Sequence, residues 1–237
     1  MQNCYAQEES ARRMKLTHGL QVTKIVRRLE RYYGKCRSPK RRPHPLDVLV
    51  RTILSQNTSD VNSHAAFARL KQKLPKWDKV KDAPTRSIEA AIRRAGLSRI
   101  KAPRIKGILQ EIEERRGSLS LDFLARWPNE RAYEYLLSLN GIGPKTAACV
   151  LLFAFGKNVL PVDTHILRVS KRLGLIGAEV NAEKAHKILG QMVPEDTTYA
   201  FHILLIEHGR RLCTARSPGC PECPLLEICE YGKRHRK

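Results

Sequence analysis

The 237-residue sequence has no long apolar run: the longest, Ala147 to Phe155, is nine residues, well short of the ~20 needed to span a bilayer as a helix. Its first stretch, MQNCYAQEESARRMK, carries charges but no hydrophobic segment of a secretory signal. Alternating apolar and polar residues of useful strand length are missing, as are internal repeats and low-complexity tracts. Acidic residues are scarce, 23 against 44 Lys and Arg, leaving a formal charge of +21. Such an imbalance repels itself unless a polyanion neutralises it, so a nucleic acid is the expected partner and a membrane is not. An intracellular, reducing compartment follows, cytoplasm or nucleoid in a prokaryote. In that setting cysteines signal metal more readily than disulfides.

What is present is helical periodicity almost throughout, which predicts an all-α fold. VTKIVRRLERYYG spaces Val22, Ile25, Val26 and Leu29 on one face and ends at Gly34. SPKRRPHP then interrupts the pattern with three prolines, three cationic side chains and a histidine, a plausible crossing between domains. LDVLVRTILS resumes a helix, SQNTSD breaks it, and VNSHAAFARLKQKL follows with Ser59 or Asp60 as N-cap. Further helices fit TRSIEAAIRRAG, APRIKGILQEIEERRG, NERAYEYLLSLNG, PKTAACVLLFAFG, THILRVSKRLG, NAEKAHKILGQMV and TTYAFHILLIEHGRRLC.

Two of these helices meet at NGIGPK. Gly141 and Gly143 accept positive φ and, lacking Cβ, let another molecule approach the backbone. Pro144 suits the first turn of the next helix. The N–H groups there make an anion site, and on so basic a chain the anion is most simply a DNA phosphate. Lys145 is harder to explain. A cation beside a helix N-terminus opposes the dipole, and partial burial disfavours its charge further, which makes the amine a candidate nucleophile. A phosphate alongside would instead hold it as an ammonium, the role of a simple contact lysine. Asp163, 18 residues on, stands where an N-cap of THILRV is expected, and a cap and a catalytic carboxylate are compatible roles. A helix from Lys145 to Phe155 runs about 15 Å, and the next seven residues can extend up to ~25 Å, so the chain can return.

LNGIGPKTAACVLLFAFGKNVLPVDTHILRV resembles the helix-hairpin-helix, Gly/Pro-rich loop and aspartate of the endonuclease III family of DNA glycosylases. By position the resemblance makes Lys145 the catalytic amine and Asp163 its partner. CTARSPGCPECPLLEIC holds Cys213, Cys220, Cys223 and Cys229 in a C-x6-C-x2-C-x5-C array. Spacing alone leaves structural zinc and an iron–sulfur centre both open. The resemblance, cysteine by cysteine, implies a [4Fe-4S] cluster away from the catalytic site. GLSRIKAPRIKGI and LIEHGRRLC are similar to family segments too, so the likeness runs from about 20 to 232. It implies two helical domains flanking a DNA-binding cleft: a six-helix barrel over 38–157, and a discontinuous domain of 1–37 and 158–237 carrying the cluster loop. It also implies that Leu97 is an apolar wedge entering the base stack and that SQNTSD fills the hole left by an extruded nucleotide. The family's usual glutamine position falls on Asn57, with Gln56 one place earlier, so both are candidates. A core leucine and a polar helix end are the plain alternatives.

The expected function is that of a monomeric, bifunctional DNA glycosylase and abasic-site lyase acting on duplexes with oxidised pyrimidines. The alternatives are a monofunctional uracil or thymine mismatch glycosylase, and a noncatalytic helix-hairpin-helix DNA-binding protein. His165, beside Asp163, could touch substrate or phosphate but reads as a packing or hydrogen-bonding residue; His202 and His208 have no metal-like pairing with the cysteines and read as structural, and Cys149 as core.

Overall fold

The computed structural model describes residues 2–235, with side chains from His18 to His235. Among the described residues there is no strand, and twelve α-helices account for the architecture. The chain divides into two compact units, one of Arg41–Lys157 and one joining Met1–Lys40 to Asn158–Lys237.

The first unit is built from α2 (Pro45–Ser55), α3 (Asp60–Lys73), α4 (Trp77–Asp82), α5 (Thr85–Ile92), α6 (Ser98–Arg116), α7 (Asn129–Ser138) and α8 (Pro144–Val150). α2 carries apolar residues on nearly every side: Leu46, Leu49, Ile53 and Leu54 are all fully buried. It packs against α3 and α8, while α5 and α6 pair with each other. Each such side chain contributes about 1.5–3 kcal/mol on burial, so α2 is the unit's central post. Ser59 caps α3, accepting the Asn62 N–H at 3.3 Å.

The helix expected to open at APRIKGI begins earlier, at Ser98, with Pro103 inside it. Pro103 lies within the first two turns, where the loss of one N–H and its bond is tolerated better than in a helix centre. α8 continues without a break into a wider π-type turn, Leu151–Phe155, which ends at Gly156 in the left-handed region.

The second unit comprises α1 (Gln2–Tyr33), α9 (Thr164–Leu173), α10 (Ala182–Met192), α11 (Thr198–Arg211) and α12 (Glu230–Arg234). Val22, Ile25, Val26 and Leu29 of α1 form the buried stripe that their spacing implies, against Ile166, Val169, Leu189, Phe201 and Leu205. α1 ends at Tyr33, with Gly34 at φ +100°. No helix among the described residues is long and apolar enough to cross a membrane.

Candidate functional site

The hairpin joins α7 to α8 through Leu139–Gly143. Leu139 and Ile142 are buried and tied by the Ile142 N–H to the Leu139 carbonyl at 3.1 Å, which leaves Asn140, Gly141 and Gly143 exposed at the tip. The tip rests on α6: the Asn140 N–H donates to Glu111 Oε2 at 3.0 Å, and the Arg104 side chain lies against Gly141. Gly141 has φ +87°, as a glycine turn requires. Gly143 does not take the positive φ expected of it: it is extended, at φ −96° and ψ 174°, because it is the N-cap of α8. A Cβ on Gly143 would meet nothing within 4 Å. Neither the chain's conformation nor its packing therefore demands glycine at 143. Pro144 occupies the first helical position and half-buried Lys145 the second. Among the described residues no carboxylate pairs with the Lys145 ammonium.

SQNTSD lies in the same unit. Gln56 and Asn57 are adjacent but differ in kind. Gln56 is half-buried, its Nε2 3.4 Å from Thr146 Oγ1 and its Oε1 accepting from Arg104 at 3.2 Å. Asn57 is exposed and left-handed, φ +53°. Leu97 is also left-handed, φ +51° and ψ 30°, and half exposed at 50%. Among the described residues these are the two non-glycine residues with positive φ. A left-handed leucine costs about 1–2 kcal/mol. Here that strain holds an apolar side chain in water, an arrangement more readily understood as serving a ligand than as serving the core.

Asp163 belongs to the other unit. It is the N-cap of α9, with Oδ1 accepting the Ile166 N–H at 2.8 Å. The cap fixes the carboxylate and engages one of its two oxygens. His202 is buried and bonds the Pro161 carbonyl just upstream. His165 meets Arg168 at 3.1 Å.

Cys213, Cys220, Cys223 and Cys229 line one cavity, together with Arg172, His208 and Leu225. Burial, against the lowering Leu225 backbone bond and with lesser help from Cys229, Cys213 and Cys220, pushes the Cys223 thiol up to about 11. Burial likewise raises Cys229. Among the described residues no three metal-ligating side chains converge as a single-ion site. Around the sulfurs stand donors. Arg172 reaches Cys213 Sγ at 3.2 Å, and the Gly232 N–H reaches Cys229 Sγ at 3.3 Å. His208, expected to be structural with no metal-like pairing to the cysteines, has Nε2 3.5 Å from Cys223 Sγ and Nδ1 3.0 Å from the Tyr33 hydroxyl. The cause is local: the Cys213 N–H closes onto the His208 carbonyl at 2.8 Å, folding the loop back over the end of α11. Burial lowers the His208 pKa to about 4. Cys149 is core.

Sequence reasoning passed over Lys101, Arg104 and Arg172. Lys101 is 2% exposed, its Nζ donating to the carbonyls of Leu54 (2.8 Å), Gln56 (2.7 Å) and Ala95 (2.9 Å). Burial lowers its pKa, and three carbonyl dipoles are what favour its charge. The only hint was a lysine three residues beyond Ser98, in a stretch too basic to single it out.

An all-helical fold with a glycine-turned hairpin, on a strongly basic chain, defines a helix-hairpin-helix DNA repair protein. Residues 50–195 match the family described as HhH-GPD superfamily base excision DNA repair protein. Endonuclease III of Thermotoga maritima is 35% identical over 193 residues, 81% of this chain and 86% of that one. Endonuclease III of Sulfolobus acidocaldarius is 34% identical over 185 residues, 77% and 80% of the two chains. A protein of Arabidopsis thaliana that bears a DNA glycosylase name is 38% identical over 191 residues, 76% of this chain and 65% of that longer one. Among solved structures, a trapped endonuclease III–DNA covalent intermediate superposes with a TM-score of 0.77 at 29% identity, over 92% of this chain and 99% of that one. The chain belongs to the HhH-GPD superfamily of base excision DNA repair proteins, as an endonuclease III-like DNA glycosylase.

Proposed function

We propose that the protein is a bifunctional glycosylase and abasic-site lyase that excises oxidised pyrimidines from duplex DNA. The observation that carries this reading is Lys145, an amine at the second position of α8 with no carboxylate partner among the described residues, beside an exposed turn whose Gly143 none of the described residues explains. DNA backbone against Gly143 is the natural reason for its missing Cβ, with salt-sensitive affinity as the consequence. The damaged nucleotide is extruded, at a smaller unstacking cost than a sound one. Asn57 fills the vacated space and Leu97 wedges the stack; Gln56 is held back by Thr146 and Arg104.

Lys145 Nζ attacks C1′ as the glycosidic bond breaks and the base leaves with its electron pair. Ring opening gives an iminium at C1′, loss of a C2′ proton follows, and the 3′ phosphate departs in a β-elimination; water then frees the amine. Asp163 stabilises positive charge at C1′ and assists proton transfer, its carboxylate held by the cap of α9.

Cys213, Cys220, Cys223 and Cys229 fit a [4Fe-4S] cluster: four thiols share one cavity, and N–H donors already address two of the sulfurs. When bound, the cluster would staple the loop.

Borohydride added to the protein with abasic-site duplex tests the lyase: a covalent adduct is expected, and Lys145→Ala should abolish it. An adduct of equal yield in the variant would dismiss Lys145 as the nucleophile. Duplexes with one damaged base each then identify the preferred lesion.

A further inference from the structure

The two strained turns share a residue. Lys101 is the largest fully buried side chain of the protein among the described residues and lies in the first turns of α6. Two of its three acceptors, the Leu54 and Gln56 carbonyls, sit at the end of α2 immediately before Asn57; the third, at Ala95, lies two residues before Leu97. Its own backbone N–H donates to the Leu97 carbonyl at 2.9 Å. An ammonium has three protons, and here each has one acceptor.

No carboxylate among the described residues neutralises this cation. Burying a lone charge is expensive, and stability is better served by an apolar side chain of similar volume. What the cation achieves, and an apolar side chain could not, is to join carbonyls from two turns 40 residues apart. Gln56 extends the connection: its backbone is held by Lys101 while its side chain meets Thr146 of α8 and Arg104 of α6, and Arg104 lies under Gly141 of the hairpin. The turn bearing Asn57, the turn bearing Leu97 and the tip beside Lys145 are thus linked through polar side chains within one unit.

We propose that Lys101 is a positioning residue for lesion extrusion: its three-way bond fixes the spacing and aim of Asn57 and Leu97, the two side chains that enter the duplex. This rests on the reading of those two residues given above. Lys101 touches no substrate and supplies no proton to the chemistry. Its effect is confined to substrates whose nucleotide must be levered from a stack.

The test compares Lys101→Met with Asn57→Ala and Leu97→Ala on an abasic site placed in a duplex and in a single strand. A 2-aminopurine opposite the site reports unstacking by its fluorescence. Lys101→Met should lose about 10- to 100-fold in duplex cleavage, as expected of a misplaced constellation, while single-strand cleavage stays within about twofold. The 2-aminopurine signal should fall with the duplex rate. Should the Lys101→Met variant fail to fold, judged by circular dichroism, Lys101→Gln keeps two donors and replaces it. Equal losses on both substrates, or a wild-type ratio between them, would overturn the proposal. If the two alanine variants are selective for the duplex and Lys101→Met is not, only the role of Lys101 falls. If neither alanine variant is selective, the reading of Asn57 and Leu97 falls and takes the positioning role with it.

Discussion

In the Arg41–Lys157 unit two turns are held by one buried ammonium; in the other unit the cysteine loop is held from its edge by two half-buried arginines. Lys101 places three protons on three carbonyls and touches no sulfur. Arg168 bonds the carbonyls of Gly209 and Cys213, and Arg172 spreads its fork over the carbonyls of Thr214 (2.6 Å) and Ala215 (2.9 Å) while also reaching Cys213 Sγ. The difference follows from what each loop must carry. A lysine is a compact charge whose proton burial weakens, adequate where only neutral carbonyls need gathering. Thiols that burial has raised, Cys223 to about 11, ligate only once deprotonated. A guanidinium that never loses its charge can address sulfur and backbone together.

This contrast breaks most severely at the sulfurs. On the proposed cluster reading, Cys223→Ser removes one of four ligands and should bring the largest loss: iron and sulfide content collapse, and amides from 213 to 229 exchange as in an unfolded loop, while those of α2 and α6 keep their protection. A structural metal centre is folding free energy for the segment that holds it. Wild-type iron content in Cys223→Ser would exclude that cysteine as a ligand. A smaller effect is expected from Arg172→Lys, which retains the charge but loses the fork. The expected cost is about 1–3 kcal/mol in denaturant unfolding, the range for charge-assisted bonds. A loss near zero would show that charge alone holds the loop.

Much of this was legible beforehand, and what was not has identifiable causes. The stripe Val22, Ile25, Val26 and Leu29, the caps Ser59 and Asp163, and the glycine at Gly34 are local signals, set by residues within one or two turns of each other, and the structure has them where the pattern implies. The all-helical class followed from the same periodicity. Lys101 was invisible because its meaning lies in three acceptors up to 47 residues away, and in a basic chain one more lysine reads as surface. The His208–Cys223 contact was hidden for a related reason: nothing in EHGRRLC says that the chain folds back to bring Cys223 against the ring. The start of α6 was placed late because Pro103 reads as a first-turn proline, whereas the helix begins five residues before it.

The finest distinction lies between two glycines that look equivalent in NGIGPK. Gly141 is left-handed and lies on the Arg104 side chain, whose atoms would be 3.1 Å from an added Cβ. Gly141→Ala should therefore lower stability by about 1–2 kcal/mol, the cost of forcing an L-residue into that region, since the flexible arginine can give way. Gly143 is extended and faces open space. Gly143→Ala should leave the unfolding midpoint of the free protein unmoved and yet weaken its hold on duplex DNA, because the methyl group would stand where the proposed reading has backbone N–H groups meet a phosphate. Thermal unfolding and a binding titration at fixed salt, run on both variants, separate the roles. On the proposed reading one glycine serves the turn and the other serves the ligand. A Gly143→Ala protein that binds duplex as wild type does would remove the reason for glycine there and, with it, the closest point of contact assigned to DNA on this hairpin.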